Sequence, residues 1–186
     1  MRQRWGSYGS WAVWAEASGW PTSNVGDLSV LDPDANPELL STLRDDVVMV
    51  GLNIARPFSE PFRNFHDSYS NAKDYKIRYA FKDTPYYGAY MSDIIKGVAE
   101  VRSKELLRYL KANPSVLQDN IDLFLEELTD LRSARPMILV FGGDAHALAR
   151  EWVPKRAYSR LIRLMHYSNY ISHEDYRRKV LDALGT

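Results

Sequence analysis

Cysteine is absent from the 186 residues of this chain. That absence excludes a disulfide framework, a cysteine nucleophile, a thiolate zinc site and an iron–sulfur cluster. Long apolar runs are missing too, and none approaches the roughly 18 residues that span a bilayer as a helix. The opening Met1-Arg2-Gln3-Arg4-Trp5-Gly6 lacks the basic-then-apolar profile of a secretory signal, so a cytoplasmic protein without a membrane partner is expected. Neither sign of charge is in excess, since 24 Lys and Arg balance 24 Asp and Glu. Hydrophobic residues make up 45% and charged residues 26%, enough apolar surface to offset the entropy of ordering, which excludes a disordered chain. At about 150 residues per domain, the length predicts a single domain over 1–186. Within it, 1–45 reads as a helical and looped N-terminal arm and 46–186 as the core.

The charge is balanced in total but not along the chain. Residues 54–82 hold six basic side chains against three acidic, and residues 150–186 hold eight against four. If the two segments meet, they form a positive face of the kind that suits a phosphate backbone; from charge alone, a solvated surface offset by acids elsewhere is the preferred reading. Tryptophan clusters at the start, with Trp5, Trp11, Trp14 and Trp20 in the first twenty residues. The spacing of Trp11 and Trp14 predicts one face of a short helix packed over the core. Gly19 to Pro37, rich in Pro, Asp, Asn, Ser and Gly, reads as a long loop.

Short apolar runs alternate with helical patterns. Val47–Leu52 predicts a strand buried on both faces, Tyr87–Met91 a weaker one, and Met137–Phe141 a strong one ending at Gly142-Gly143. Arg160–Met165 fits a strand or the tail of a helix. Helices are predicted over Lys104–Ala112, Val116–Leu131 and Asp144–Trp152, and a last one over Tyr176–Leu184 capped by Ser172 with Asp175 three positions on. This alternation predicts an α/β fold, a three-layer α/β/α domain around a central four-stranded parallel sheet. Ligands of such sheets sit beyond the carboxyl ends of the strands, so Asn53, Ser92-Asp93, Gly142-Gly143-Asp144 and His166-Tyr167-Ser168 draw attention.

Four of these stretches, in this order, resemble the motifs of the uracil-DNA glycosylase superfamily. Val50-Gly51-Leu52-Asn53 resembles the first motif, in the Gly-x-Asn-Pro-Gly form of the mismatch-specific and single-strand-selective branches. His166-Tyr167-Ser168-Asn169-Tyr170 resembles the second, His-Pro-Ser-Pro followed by a DNA-inserting residue. Gly88–Lys96 looks like the strand that ends Thr-Asn-x-x-Lys, and Ile138–His146 like the next strand and its helix. The chain departs from the pattern at Ile54 and Ala55, in place of Pro and Gly, at Tyr167, in place of Pro, and at Asp93, in place of a base-reading Asn.

The resemblance implies a monomeric DNA base-excision glycosylase needing no metal or cofactor. Its substrate would be DNA, single- or double-stranded, carrying a uracil or related damaged base flipped out of the stack. Asn53 would position water at the sugar carbon, and His166 would donate to the base as it leaves with negative charge. Gly51, Leu52, Phe62, Phe65, Asp93, Ser168 and Tyr170 would line the substrate site. Of these, Phe62 or Phe65 would stack on the base, Ser168 would hold a flanking phosphate through its hydroxyl and amide, and Tyr170, or Ile171 beside it, would wedge into the duplex. An ionised Asp93 can only accept hydrogen bonds, which repels uracil O4 and suits the amine of cytosine.

Plainer readings stand beside these. An Asn after a strand often satisfies backbone groups, a His after an apolar run is often a structural hydrogen-bonder, and phenylalanines three apart are often core. Asp93 fits a turn cap. Asp144 and His146 read as helix-start residues, and His66 and His173 as surface. A weak or inactive relative that binds nucleic acid or a nucleotide-like ligand is the alternative function.

Overall fold

A computed structural model describes all residues from Met1 to Thr186. The elements run, in chain order, α1 (Arg2–Trp5), β1 (Ser10–Trp11), α2 (Leu39–Thr42), β2 (Arg44–Asn53), α3 (Asp74–Phe81), β3 (Ala89–Ile95), α4 (Ser103–Ala112), α5 (Pro114–Thr129), β4 (Met137–Phe141), α6 (Gly143–Trp152), β5 (Leu161–Leu164) and α7 (His173–Leu184). The sheet has five strands in the order β1-β3-β2-β4-β5. The four strands β2 to β5 are parallel, and β1 adds an antiparallel edge, pairing Ser10 with Met91 and Trp11 with Tyr90.

Helices cover both faces, because alternate side chains of the buried strands point to opposite layers. Val48, Val50, Ile138 and Val140 meet Leu106, Leu110, Ile121, Phe124 and Leu148 of α4, α5 and α6. Val47, Met49, Leu139 and Phe141 meet Ile77, Phe81, Tyr176 and Val180 of α3 and α7. Within the sheet-and-helix frame, α5 opens with Pro114 at its first position, where a missing N–H costs nothing. Ser172 caps α7 as expected, accepting from the Asp175 N–H at 3.0 Å.

Several expectations are corrected. The sheet is five-stranded rather than four-stranded, because the N-terminal arm contributes β1. Trp11 and Trp14 do not share a helix face: Trp11 lies in β1 and packs into one core layer, while Trp14 packs into the other. Extended backbone sends residues an odd number apart to opposite sides. For Arg160–Met165, where a strand and a helix tail both fitted, the structure has the strand β5. His66 is fully buried rather than on the surface, its ring 5.3 Å from that of Trp14 and its Nε2 3.2 Å from the Trp11 carbonyl. Burial pushes its pKa down to about 3, so the ring is neutral. His173 is half-buried, its ring edge-on to Tyr79 at 4.5 Å. Strand β3 runs on to Ile95, so Asp93 lies inside the strand and caps no turn. The polar pair Ser92-Asp93 looks like a strand end, yet Ser92 bonds Glu127 on one side and Asp93 bonds Asn64 on the other.

Candidate functional site

The carboxyl ends of β2, β4 and β5 and the middle of β3 border one cleft of about 390 Å³. It brings together Gly51, Leu52, Asn53, Phe65, Asp93, His166 and Ser168, which lie up to 117 positions apart in the chain. Phe62 and Tyr170 are not among its walls.

Parallel pairing sets Gly51 of β2 opposite Asp93 of β3. A Cβ on Gly51 would fall 2.1 Å from Asp93 Oδ1, so this position admits only glycine while the carboxyl holds its place. Asp93 Oδ2 accepts from Asn64 Nδ2 at 2.8 Å, and the same nitrogen donates to the Tyr8 carbonyl at 2.7 Å. Asn64 sits between two phenylalanines in the left-handed region, Phe62 at φ 65° and Phe65 at φ 63°. Bulky residues adopt this conformation at a cost of about 1–2 kcal/mol each, which the fold offsets by burying both rings. The two rings diverge. Phe62 joins the core layer under α4 and α5, which removes it as a platform for a base, whereas Phe65 lines the cleft and packs 6.3 Å from Phe141.

Asn53 ends β2, and its Nδ2 lies 2.9, 3.0 and 2.9 Å from the carbonyls of Ile54, Val98 and Glu100. The amide hydrogens are therefore committed to backbone, and this fixes the side chain's orientation. Its Oδ1 has no protein donor and is the part of the group available to a ligand or water.

His166 follows β5 and packs over Gly142, whose positive φ of 93° only glycine accommodates without strain. The Ser168 N–H donates to His166 Nδ1 at 3.1 Å, with the Ser168 hydroxyl 2.8 Å from the same nitrogen. An Nδ1 that accepts leaves the proton on Nε2 in the neutral ring. Burial lowers the His166 pKa and favours this neutral form. Ser168 is thus turned onto His166: its amide is occupied and is not offered to a phosphate. The ring of Tyr167 stacks on His166 at 4.4 Å and meets Phe141 edge-on at 5.5 Å, so Tyr167 works as a wall of the cleft.

Beyond the cleft, Tyr170 is fully exposed, while Ile171 packs against α3 and α7 and its carbonyl accepts from Lys76 at 2.8 Å. Asp144 accepts from Ser103 Oγ at 2.7 Å in the first turn of α6, consistent with a helix-start role. No group of three or more His, Asp or Glu side chains is arranged to hold a metal.

Residues that sequence reasoning missed are Asn64, Asp67, Asp74 and the ring of Tyr167. Asp74 is buried at the start of α3, accepts from the Asp67 N–H at 2.8 Å, and is pushed up to about 7, by burial above all. Asp67 is ion-paired with Arg56. In the sequence Asp74 resembles any helix-start acid, and only the long fold of the 54–73 loop carries it to the cleft. No protein-family model matches the chain, and no curated protein matches it.

Proposed function

We propose that the chain is a DNA base-excision glycosylase of the uracil-DNA glycosylase type, with the three-layer fold of that family and DNA as its macromolecular partner. The observation that carries the reading is the complementary locking of two side chains at one cleft. His166 presents Nε2–H because Ser168 occupies Nδ1, and Asn53 keeps Oδ1 available because three carbonyls take its amide hydrogens. One is a fixed donor and the other a fixed acceptor. Glycoside cleavage asks for both: an acceptor that orients water toward the sugar carbon, and a donor aimed at charge developing on the leaving base. Neither group needs to change protonation state to play its part. Phe65 supplies an aromatic wall for a flipped base, and Tyr170 is free to enter the gap a flipped nucleotide leaves.

One observation favours the second reading, a weak or inactive relative that binds nucleic acid or a nucleotide-like ligand. The Asn53 amide latches β2 to the carbonyls of Val98 and Glu100, which is a structural task in itself. The test is incubation with single- and double-stranded oligonucleotides, each carrying one target base, followed by alkali to cut abasic sites. The glycosylase reading expects strand cleavage at the target position. Binding without cleavage on every substrate supports the relative.

A further inference from the structure

The hydrogen-bond balance at the floor of the cleft carries a consequence for which base is accepted. Three side chains there, Asn64, Asp74 and Asp93, are each more than nine-tenths buried. Asn64 has no hydrogen left to give, because one N–H goes to the Tyr8 carbonyl and the other to Asp93 Oδ2. The amide cannot be turned round, since its oxygen would then face the Tyr8 carbonyl oxygen. Asp74 already accepts from the Asp67 N–H through Oδ2, and its Oδ1 has no donor. Asp93 Oδ1, over Gly51, has none either. No lysine or arginine is paired with Asp74 or Asp93. The cations whose charge reaches them are engaged elsewhere: Lys96 with Glu127 at 2.8 Å and the Asp93 backbone carbonyl at 2.6 Å, and Arg56 with Asp67.

We propose that this acceptor-rich floor selects a base bearing an exocyclic amino group over its carbonyl counterpart, cytosine over uracil and adenine over hypoxanthine; this rests on the glycosylase reading and names its substrate class. An amine brings two hydrogens to oxygens that lack donors, whereas a carbonyl oxygen in the same place faces only lone pairs. Neither oxygen is sealed from the cleft, so a ligand that supplies donors replaces water there bond for bond, whereas a carbonyl replaces it with nothing. The loop after β5 brings donors, His166 Nε2–H and the Tyr167 hydroxyl, and burial together with the two carboxylates near that hydroxyl holds its proton in place. Burial, with mutual repulsion adding at Asp74, holds both carboxyls up at about 7. Above that pH the two carboxyls are acceptors only, which fixes the conditions of the test.

The experiment uses the full chain at pH 8.5. Four all-thymine strands, each carrying one cytosine, uracil, adenine or hypoxanthine, are assayed for alkali-labile sites, and binding of free cytosine and uracil is measured by calorimetry. The expected result is that the amino member of each pair is favoured about tenfold or more in excision, with cytosine the tighter free base. Asp93→Asn, near-identical in shape, restores a donor and is expected to shift preference toward uracil; Asp74→Asn does so to a lesser degree and serves if the first variant does not fold. Uracil excised as well as cytosine, or a preference that neither variant moves, overturns the inference and leaves the glycosylase reading intact. No excision on any strand sinks the glycosylase reading instead. The free bases then decide separately: cytosine bound no tighter than uracil overturns the acceptor floor as well.

Discussion

Gly51 and Asp93 face each other across two parallel strands, and each explains the other. Adding one methyl at Gly51 puts a Cβ 2.1 Å from the Asp93 carboxyl. Overpacking of this kind costs about 1–3 kcal/mol, so Gly51→Ala is expected to lower unfolding free energy by that amount in urea denaturation and to impair the cleft. Titration offers a second check. Asp74 and Asp93 rise from 3.8 to about 7 on folding, so the native state holds their protons more tightly, and their contribution to stability falls as pH rises from about 4 to 7. His66 falls from 6.5 to about 3 and acts oppositely: its contribution is present above 6.5 and is lost on acidification. The double variant Asp74→Asn, Asp93→Asn keeps only the histidine effect. Its stability is expected to drop more steeply than the parent's between pH 7 and 4.5, and parallel curves would contradict these assignments. At this scale the sequence was legible where a side chain follows a strand, as at Asn53 and His166. It was silent where a loop delivers the group. Asn64 carries no periodicity, and His66 looks like any polar loop residue until Trp11 and Trp14 close over it.

Elements were legible where apolar runs are long and fully buried, as in β2 and β4, and where a cap is explicit, as at Ser172. Two places defeated pattern reading. β1 is too short for alternation to register, and its pairing is decided by tertiary contact with β3. β3 itself is interrupted by Ser92 and Asp93, polar residues that a buried strand tolerates only with partners. Those partners lie far away in sequence: Tyr90 and Ser92 donate to Glu127 of α5, at 2.6 and 2.8 Å, and Lys96 pairs with the same carboxylate. This buried knot ties α5 to β3. Lys96→Ala leaves Glu127 charged, buried and short of its cation, and is expected to cost about 3–5 kcal/mol. Ser172→Ala, which removes one cap of an amphipathic helix, is expected to cost about 1 kcal/mol. Urea midpoints for the two variants should differ accordingly; similar losses would mean that the knot does not hold the layers together.

Over the whole molecule, the two basic segments do meet, since α3 packs against α7. Yet most of the charge on the first is engaged within the protein, and Lys76 and Arg78 are buried. Arg78 donates to three backbone carbonyls, Lys76 to two, and Arg56, Arg63 and Lys82 pair with Asp67, Glu60 and Glu16. The 54–82 segment is therefore largely a structural use of cations, and it adds little to a positive face. On the proposed glycosylase reading, DNA binding leans on Tyr170 and on cleft contacts more than on long-range attraction. Tyr170→Ala is expected to slow excision from duplex DNA by about tenfold while leaving single strands within a few fold, because only a duplex leaves a gap to fill. Equal effects on both would remove the wedge role. The central claim is that His166 and Asn53 act as fixed donor and acceptor in the chemical step. Single-turnover excision by the parent, His166→Ala and Asn53→Ala, with substrate affinity measured alongside, tests it most directly. The account predicts that each variant loses about a hundredfold or more in the rate of bond cleavage, near 3 kcal/mol, with affinity changed only a few fold; cleavage by either variant at the parental rate would contradict it.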